Sequence, residues 1–239
     1  MKHDERTYRY LINKEILVTY DVKIAESDLL ISSDTHLGDA AKKSLIQHRH
    51  ALEAYIKNHP EFRTSLISIP EDRLAPPIVR DMISKSRLCG VGPMASVAGA
   101  VSEFVGYDLI DQTQNLIIEN GGDIFMKAKT PLTIGVYAGE SALSYNVKLL
   151  IKPEETPLGV CTSSATVGPS LSFGKADAVC VLSKSATLAD AAASAVGNRV
   201  KSKKDIKSSL DYGMMIPGIL GIIIICGNDM GMIGQVELV

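Results

Sequence analysis

The sequence has no tryptophan, and aromatic residues make up only 5% of its 239 residues. Aromatic platforms on which bases stack are therefore scarce. Lys and Arg number 25 against 27 Asp and Glu, which gives a formal net charge of only -2. Because no segment has the density of basic residues that a phosphate backbone requires, we expect no nucleic-acid partner.

Apolar runs long enough to cross a membrane are also missing. The longest run, residues 214–226, is interrupted by Pro217, Gly218 and Gly221. It falls well short of the roughly 20 residues of a membrane helix, and it predicts a buried strand instead. The charged start, residues 1–6, does not have the pattern of a signal peptide. We therefore expect a cytoplasmic protein without a membrane partner.

Cysteine is sparse, and the four cysteines form no CxxC pair and have no histidine at ligand spacing. This pattern argues against a structural zinc or a redox dithiol. Cys161, Cys180 and Cys226 lie in apolar runs typical of buried strands. Cys89 precedes Gly90, and we place it at the entry to a helix, where its thiol pKa would be lowered. The alternative for Cys89 is simple burial.

With 46% hydrophobic residues the chain can form a large core. Short Val- and Ile-rich segments predict strands, and apolar residues spaced by three and four predict helices. The predicted strands cover residues 8–11, 16–22, 29–32, 115–119, 124–127, 132–137, 145–151, 159–162, 178–183, 219–225 and 235–239. The predicted helices cover residues 39–57, 78–86, 94–105, 186–196 and 203–210, with Asp34 or Asp39 as the cap of the first. This order predicts an α+β fold, and because no linker is visible we treat residues 1–239 as one domain of two halves.

Two glycine-containing segments are candidates for binding an anion. A turn that includes Gly92 leads into a helix of small residues, residues 94–105, whose first amides would bind phosphate. Tight packing of the small residues is the alternative. The second segment is Asn120, Gly121, Gly122 and Asp123, where a plain hairpin turn is the alternative.

A third segment, residues 161–177, carries six hydroxyl side chains, among them Thr162, Ser163 and Ser164. Hydroxyl groups at this density suit phosphate or sugar oxygens. Further on, Asp190 and Ser194 lie four residues apart and would share one helix face. Two such oxygen ligands suit Mg²⁺. The alternative is that Asp190 only bonds to a neighbouring loop.

Taken together, three stretches of sequence resemble the ApbE-like superfamily of flavin transferases. They are Asn120–Ile124, residues 161–177 and the segment Ser185–Ala191 around Asp190. The small-residue segment 91–99, together with residues 162–164 and 170–177, is more similar to a soluble branch found in archaea and anaerobic bacteria, and that similarity extends over nearly the whole chain.

The resemblance implies a duplicated T-fold-like architecture of antiparallel sheets with helices packed against them, and a homodimer is reasonable. It implies that FAD or a related flavin nucleotide is the phosphate-bearing ligand and that Mg²⁺ bridges its pyrophosphate. Asp190 and Ser194 match the metal-binding Asp and Thr, and a backbone carbonyl near Gly92 would be a further ligand. The phosphates would meet the backbone of residues 120–123 and 162–164. No catalytic residue is assigned.

The chain also departs from the transferases. Ser96 or Val97 stands where they carry lysine, and residues 169–172 replace a segment that contains histidine. In the soluble branch, glycine and histidine are usual where Ala165 and Pro169 stand. Two alternatives to a flavin-binding enzyme follow: a protein of sulfur assimilation toward homocysteine in anaerobes, using Cys89 or Cys161, and a non-catalytic binding module.

Overall fold

The structure is a computed structural model and describes residues 17–167 and 172–239. Eight strands form one antiparallel sheet in the order β1-β2-β3-β4-β7-β8-β9-β10, and β5 pairs with β6 in a second, two-stranded sheet. The strands of the large sheet are β1 (Val18–Ile24), β2 (Ser27–Ser33), β3 (Leu116–Asn120), β4 (Asp123–Lys127), β7 (Leu158–Ser163), β8 (Ala178–Ser183), β9 (Ile219–Cys226) and β10 (Asp229–Gly234). The small sheet consists of β5 (Leu132–Gly135) and β6 (Lys148–Ile151). The strand predicted over residues 8–11 lies outside the described residues.

The described part of the chain contains six α-helices. They are α1 (Gly38–Asn58), α2 (Pro60–Thr64), α3 (Pro77–Cys89), α4 (Val97–Leu109), α5 (Ala186–Gly197) and α6 (Ile206–Met214). A short 3₁₀ helix, Pro93–Ser96, comes directly before α4. No single described helix is both long and apolar enough to cross a membrane, whereas the pair Pro77–Cys89 and Pro93–Gln112, bent by 101°, passes that test jointly.

Each half of the large sheet has the same plan. In the first half β1 and β2 pair, helices α1 to α4 follow, and β3 and β4 pair next. In the second half β7 and β8 pair, α5 and α6 follow, and β9 and β10 pair. Antiparallel pairing of β4 with β7 joins the halves. The predicted α+β class and duplicated T-fold-like architecture are confirmed.

The large sheet separates two layers, because successive side chains of a strand point to opposite faces. In β9, Ile222 and Ile224 pack with helices α5 and α6, whereas Ile223 and Ile225 pack with the small sheet. All four are fully buried. A strand covered on both faces reads as an unbroken apolar run, which explains why this segment looks hydrophobic throughout.

Two sequence predictions about element ends are wrong. The last strand is β10, ending at Gly234, and not residues 235–239. The hairpin turn lies at Gly227 (φ +64°) and Asn228, a dipeptide that favours such turns. Asp34 does not cap α1; instead it accepts hydrogen bonds of 2.7–2.8 Å from the 113–115 turn. Leu37 precedes α1 without a side-chain cap.

Helix α5 lies unusually close to the sheet and to α4. A Cβ on Gly159 of β7 would lie 2.4 Å from Ala186 Cα, and a Cβ on Gly99 of α4 would lie 2.3 Å from the Ala186 carbonyl oxygen. Backbone cannot yield as a flexible side chain does. The two glycines therefore allow α4, α5 and β7 to meet.

We expect Gly159→Ala to lower the free energy of unfolding by roughly 1–3 kcal/mol, because its methyl group forces α5 away from the sheet. Gly197→Ala is the matched control, since its Cβ would meet nothing closer than 3.7 Å. Urea denaturation of both variants measures the difference. Equal unfolding midpoints would show that α5 shifts freely.

Candidate functional site

Asp190, the carboxylate predicted to bind metal, lies in α5 and faces the first turn of α4. The Gly99 amide donates a hydrogen bond of 2.9 Å to Asp190 Oδ2. The first amides of a helix have no partner within the helix, and they carry a partial positive charge. At the helix start where the sequence predicted a bound phosphate, the Gly99 amide is therefore hydrogen-bonded to the carboxylate of Asp190.

A second carboxylate, Asp123, stands beside Asp190 at the start of β4. Its side chain is buried, and its Oδ1 accepts a hydrogen bond of 3.2 Å from the Thr162 amide. Burial, followed by the negative charge of Asp190, raises the pKa of Asp123 well above its ordinary value. Burial also raises the pKa of Asp190 to about 7, even though hydrogen bonds from the amides of Gly99 and Ala98 oppose that shift. The two carboxylates thus destabilise each other's charged form.

Asp123 and Asp190 would be more stable in their charged forms with a divalent cation bound than when they are buried without one. A cation between the two carboxylates would favour their ionised forms. Ser194 follows Asp190 by one turn of α5 and is partly buried. Among the described residues no cluster of three or more His, Cys, Asp or Glu side chains is arranged to hold a metal. Mg²⁺ fits this limited set, since it typically uses one or two carboxylates and completes its shell with water and phosphate.

The segment from Asn120 to Asp123 is a hairpin turn between β3 and β4, as the plainer of the two interpretations held. Gly121 (φ +66°) and Gly122 (φ +105°) adopt the left-handed conformations that such a turn requires. The Asn120 side-chain amide donates a hydrogen bond of 3.2 Å to the Ala98 carbonyl of α4. The turn therefore also fixes Asp123 against the start of that helix.

A cavity of about 710 Å³ opens beside this turn, between α1 and the start of α4. Its lining includes Asn120, Gly121 and Asp123, together with three cationic side chains, Arg49, Lys57 and Arg63. The sequence analysis missed these cations, because residues 39–57 read as an ordinary amphipathic helix and α2 was not predicted at all. Only the packing of α1 beside the β3–β4 turn brings them to one cavity.

The three cations differ in how firmly they are held. Arg49 donates to Ser27 Oγ and Glu26 Oε2 at 2.7 Å and to Glu53 Oε1 at 2.6 Å. Lys57 and Arg63 are exposed, and neither forms an ion pair within residues 17–167 and 172–239. An anion in the cavity would therefore meet two side chains that form no ion pair with a described carboxylate, although the charge of Arg63 acts on Glu26.

Several predicted residues lie away from this cavity. A Cβ on Gly92 would lie 1.9 Å from the Ser65 carbonyl oxygen, so this glycine serves packing, as the alternative held. Burial raises the pKa of the Cys180 thiol to about 11, and the nearby Thr162 hydroxyl opposes that shift. Ser164 Oγ accepts hydrogen bonds from the amides of Thr166 (3.1 Å) and Val167 (3.0 Å), which orders the loop.

Ser163 faces the last turn of α5, where a Cβ on Gly197 would lie 3.8 Å from its Oγ. Ser163 therefore lies at the contact between β7 and the last turn of α5. Ala165 is exposed, whereas Ser96 is buried and donates a hydrogen bond of 2.8 Å to the Pro93 carbonyl. Pro169 lies outside the described residues.

The cysteines are poorly placed to react. Cys89 is the last residue of α3, with Gly90 (φ +69°) as its C-cap, so the predicted helix entry is wrong. Burial, and then the charge of Asp190, raises the pKa of the Cys89 thiol to about 12. Burial likewise raises the pKa of Cys161 well above its ordinary value. Thiolate, the reactive form, is thus disfavoured at both positions.

Comparison with known sequences finds relatives that match this chain over most of its length and over most of their own. The sequence model of the family described as "AbpE bacteria" matches residues 9–231. A UPF0280 protein of Methanosarcina barkeri is 39% identical over 221 residues, covering 91% of this chain and 87% of the relative. A UPF0280 protein of Methanocaldococcus jannaschii is 40% identical over 223 residues, covering 90% and 91%.

Solved structures show the same fold at low sequence identity. The flavinyl transferase ApbE of Pseudomonas stutzeri in its apo form gives a TM-score of 0.56 at 14% identity, covering 91% of this chain and 94% of that one. The flavin transferase ApbE of Vibrio cholerae gives 0.55 at 14% identity, covering 92% and 97%. The ApbE protein of Thermotoga maritima gives 0.57 at 13% identity, covering 90% and 96%.

The raised pKa of Asp190 predicts a pH dependence of stability. Folding raises this pKa from 3.8 to about 7, so the protonated form is favoured in the folded state. The contribution to stability is full below the ordinary pKa and is lost as the pH rises through about 7. We expect the free energy of unfolding of Asp190→Asn to fall less than that of the natural protein between pH 4.5 and 8.

Urea denaturation across that pH range measures the effect, and Asp34→Asn is the control of opposite sign. Although desolvation opposes the shift, hydrogen bonds from Asn115, Thr113 and Gln114 lower the pKa of Asp34 to about 2. Its contribution is present above the ordinary pKa and lost as the pH falls through about 2. Asp34→Asn should therefore be less stable than the natural protein at pH 7. Parallel curves for Asp190→Asn and the natural protein would contradict the assigned titration.

Proposed function

The chain belongs to the family described as "AbpE bacteria", and from that premise we propose that it binds FAD or a related flavin nucleotide through its phosphates together with Mg²⁺. The resemblance to the ApbE-like superfamily predicted from the motifs is confirmed by this membership. One observation carries the proposal: Asp123, a buried carboxylate whose pKa is raised by burial and by the charge of neighbouring Asp190, lines a cavity that is also lined by three cations. A metal ion would pair with the carboxylates, and a phosphate-bearing molecule would pair with the cationic side chains.

The metal would be held by Asp190, Asp123 and the hydroxyl of Ser194. Asp123 is an addition to the ligands predicted from the sequence, and it is supported by its electrostatic coupling to Asp190. Bound Mg²⁺ would neutralise the negative charge of a pyrophosphate. The Gly99 amide supports the site by holding Asp190 in a defined orientation.

The phosphates would lie against the β3–β4 turn. A Cβ on either Gly121 or Gly122 would meet nothing within 4 Å, so there is open space on the side of the backbone that faces solvent. Lys57 and Arg63 would supply charge-assisted hydrogen bonds from the α1–α2 side of the cavity. Of the hydroxyl segment, Ser163 remains a candidate contact, whereas the Thr162 amide is already used by Asp123.

The reaction that this binding would serve is transfer of FMN from FAD to an acceptor hydroxyl, with AMP as the leaving group. The residues of this chain support flavin binding more fully than flavin transfer. Buried Ser96 or its neighbour Val97 stands where transferases carry lysine. The sulfur-assimilation alternative draws no support from Cys89 or Cys161, whose thiols are buried. A cytoplasmic location and a homodimer remain predictions.

Isothermal titration calorimetry of FAD, FMN and riboflavin, each with Mg²⁺ and with EDTA, tests the proposal. We expect FAD to bind at least about tenfold more tightly with Mg²⁺, because a metal ion held by Asp190 and Asp123 would offset the negative charge of the pyrophosphate. FMN, which has a single phosphate, should bind more weakly, and riboflavin, which has none, should not bind measurably. Release of AMP from FAD, followed by chromatography, reports transfer or hydrolysis.

Two variants separate the contributions. Asp190→Asn should abolish the Mg²⁺ dependence, and Arg63→Gln should weaken FAD binding with and without metal. Asp211→Asn, which removes an exposed carboxylate of α6, is the matched control and should bind as the natural protein does. FAD affinity that is equal in Mg²⁺ and EDTA, or no binding at all, would overturn the proposal and favour a non-catalytic module for another ligand.

A further inference from the structure

A second cleft, of about 560 Å³, lies between α3 and α4, away from the cavity beside the β3–β4 turn. Its charged lining includes Arg73, Arg80, Asp81 and Glu103, and Phe104 and Tyr107 form an aromatic wall. None of these residues lines the first cavity. The cleft therefore needs an explanation of its own.

Glu103 is the most constrained of these side chains. It is only 6% exposed, and its Oε2 accepts hydrogen bonds from Ser185 Oγ (2.9 Å), the Thr187 amide (2.8 Å) and Thr187 Oγ1 (2.9 Å). These groups form the start of α5, whose partial positive charge favours a carboxylate. Oε1 accepts no hydrogen bond from the described residues, which leaves this oxygen available to a molecule in the cleft.

Asp81 of α3 is the second carboxylate of the cleft. Its carboxyl lies near the Thr187 hydroxyl, whose proton is donated to Glu103 Oε2 at 2.9 Å. Burial raises the pKa of both carboxyls, and for Glu103 the nearby charge of Asp81 adds to the shift. Lys85 Nζ lies 4.0 Å from Asp81 Oδ1, too far for a hydrogen bond. Both carboxylates would gain from a cationic hydrogen-bond donor placed between them.

The two other carboxylates of the cleft are already engaged. Glu71 pairs with Arg87 at 2.9 Å, and Asp72 accepts hydrogen bonds from the Tyr55 hydroxyl at 3.0 Å and the Leu74 amide at 2.9 Å. Arg73 and Arg80 are exposed, and neither is in an ion pair with a residue of the described ranges. Two guanidinium groups thus remain to bind an anion at the same cleft.

We propose that this cleft binds a small zwitterion of the α-amino acid class. The ammonium group would lie between Asp81 and Glu103 Oε1, and the carboxylate would accept bidentate hydrogen bonds from Arg80, assisted by Arg73. The side chain would pack against Phe104 and Tyr107. Molecules with a single sign of charge match only half of the cleft: a diamine leaves the guanidinium groups unpaired, and a dicarboxylate faces two carboxylates.

The site is independent of the proposed flavin site, although both use the same two helices. Glu103 follows Gly99 by one turn of α4, and Thr187 precedes Asp190 by three residues of α5. No residue assigned to the metal, the phosphates or the flavin takes part. Binding in this cleft is therefore measured without FAD or Mg²⁺, and its presence or absence leaves the flavin proposal unaffected.

The test is ligand-observed NMR, followed by calorimetry, with the full chain and the twenty protein amino acids added singly. Putrescine and succinate serve as the probes with one sign of charge. We expect at least one amino acid to bind and both single-sign probes to bind at least about tenfold more weakly, since each loses one set of charge-assisted hydrogen bonds. Arg80→Gln and Asp81→Asn should each weaken the amino acid about tenfold.

Arg80→Gln and Asp81→Asn change accessible side chains, and circular dichroism checks that both variants are folded. Lys207→Gln and Asp211→Asn, which remove the same charges from the exposed face of α6, are matched controls and should keep natural affinity. The proposal is overturned if no amino acid binds below about 10 mM, a Kd at which binding is barely favourable. It is equally overturned if putrescine or succinate binds as well, or if Arg80→Gln and Asp81→Asn keep natural affinity.

Discussion

The contact between the start of α4 and the middle of α5 is the constraint on which the rest of this molecule depends. Gly99 lets the two helices approach and donates its amide to Asp190, while Gly159 lets Ala186 lie directly on the sheet. A carboxylate that is held at a helix start has a defined position but also loses hydration. The fold therefore places a titratable acid where its charge is only partly compensated.

That partial compensation links stability to function. Asp190 beside Asp123 costs folding free energy at neutral pH, because burial raises both pKa values and the charge of Asp190 raises that of Asp123 further. An apolar pair of similar volume would avoid this cost. Carboxylates that are buried, close together and open to a cavity are typical of sites that bind or transform a ligand. Helices α4 and α5 also bury a second carboxylate, Glu103 of α4. It accepts three hydrogen bonds from the start of α5, which compensate for its burial.

Much of the fold followed from local pattern. The period of two in β3 and β4, the uniform apolar run of β9 and the small-residue helix α5 were each predicted within a few residues. The final strand was misplaced, because residues 235–239 are apolar enough to pair, and they do so with β6 through the Leu150 amide and the Glu237 carbonyl. The Gly227–Asn228 dipeptide predicts a hairpin turn directly after β9, and therefore a final strand that begins at Asp229.

The sequence by itself determined the α+β class and the family, because these depend on periodicity and short motifs. Only the tertiary structure decided that Asp123 joins Asp190, that Gly92 serves packing and that Arg63 faces the β3–β4 turn. The reason is physical: a motif records which groups are adjacent along the chain. Electrostatic interactions and cavities depend on distances through space, and those are set by how α1, α4 and α5 pack on the sheet.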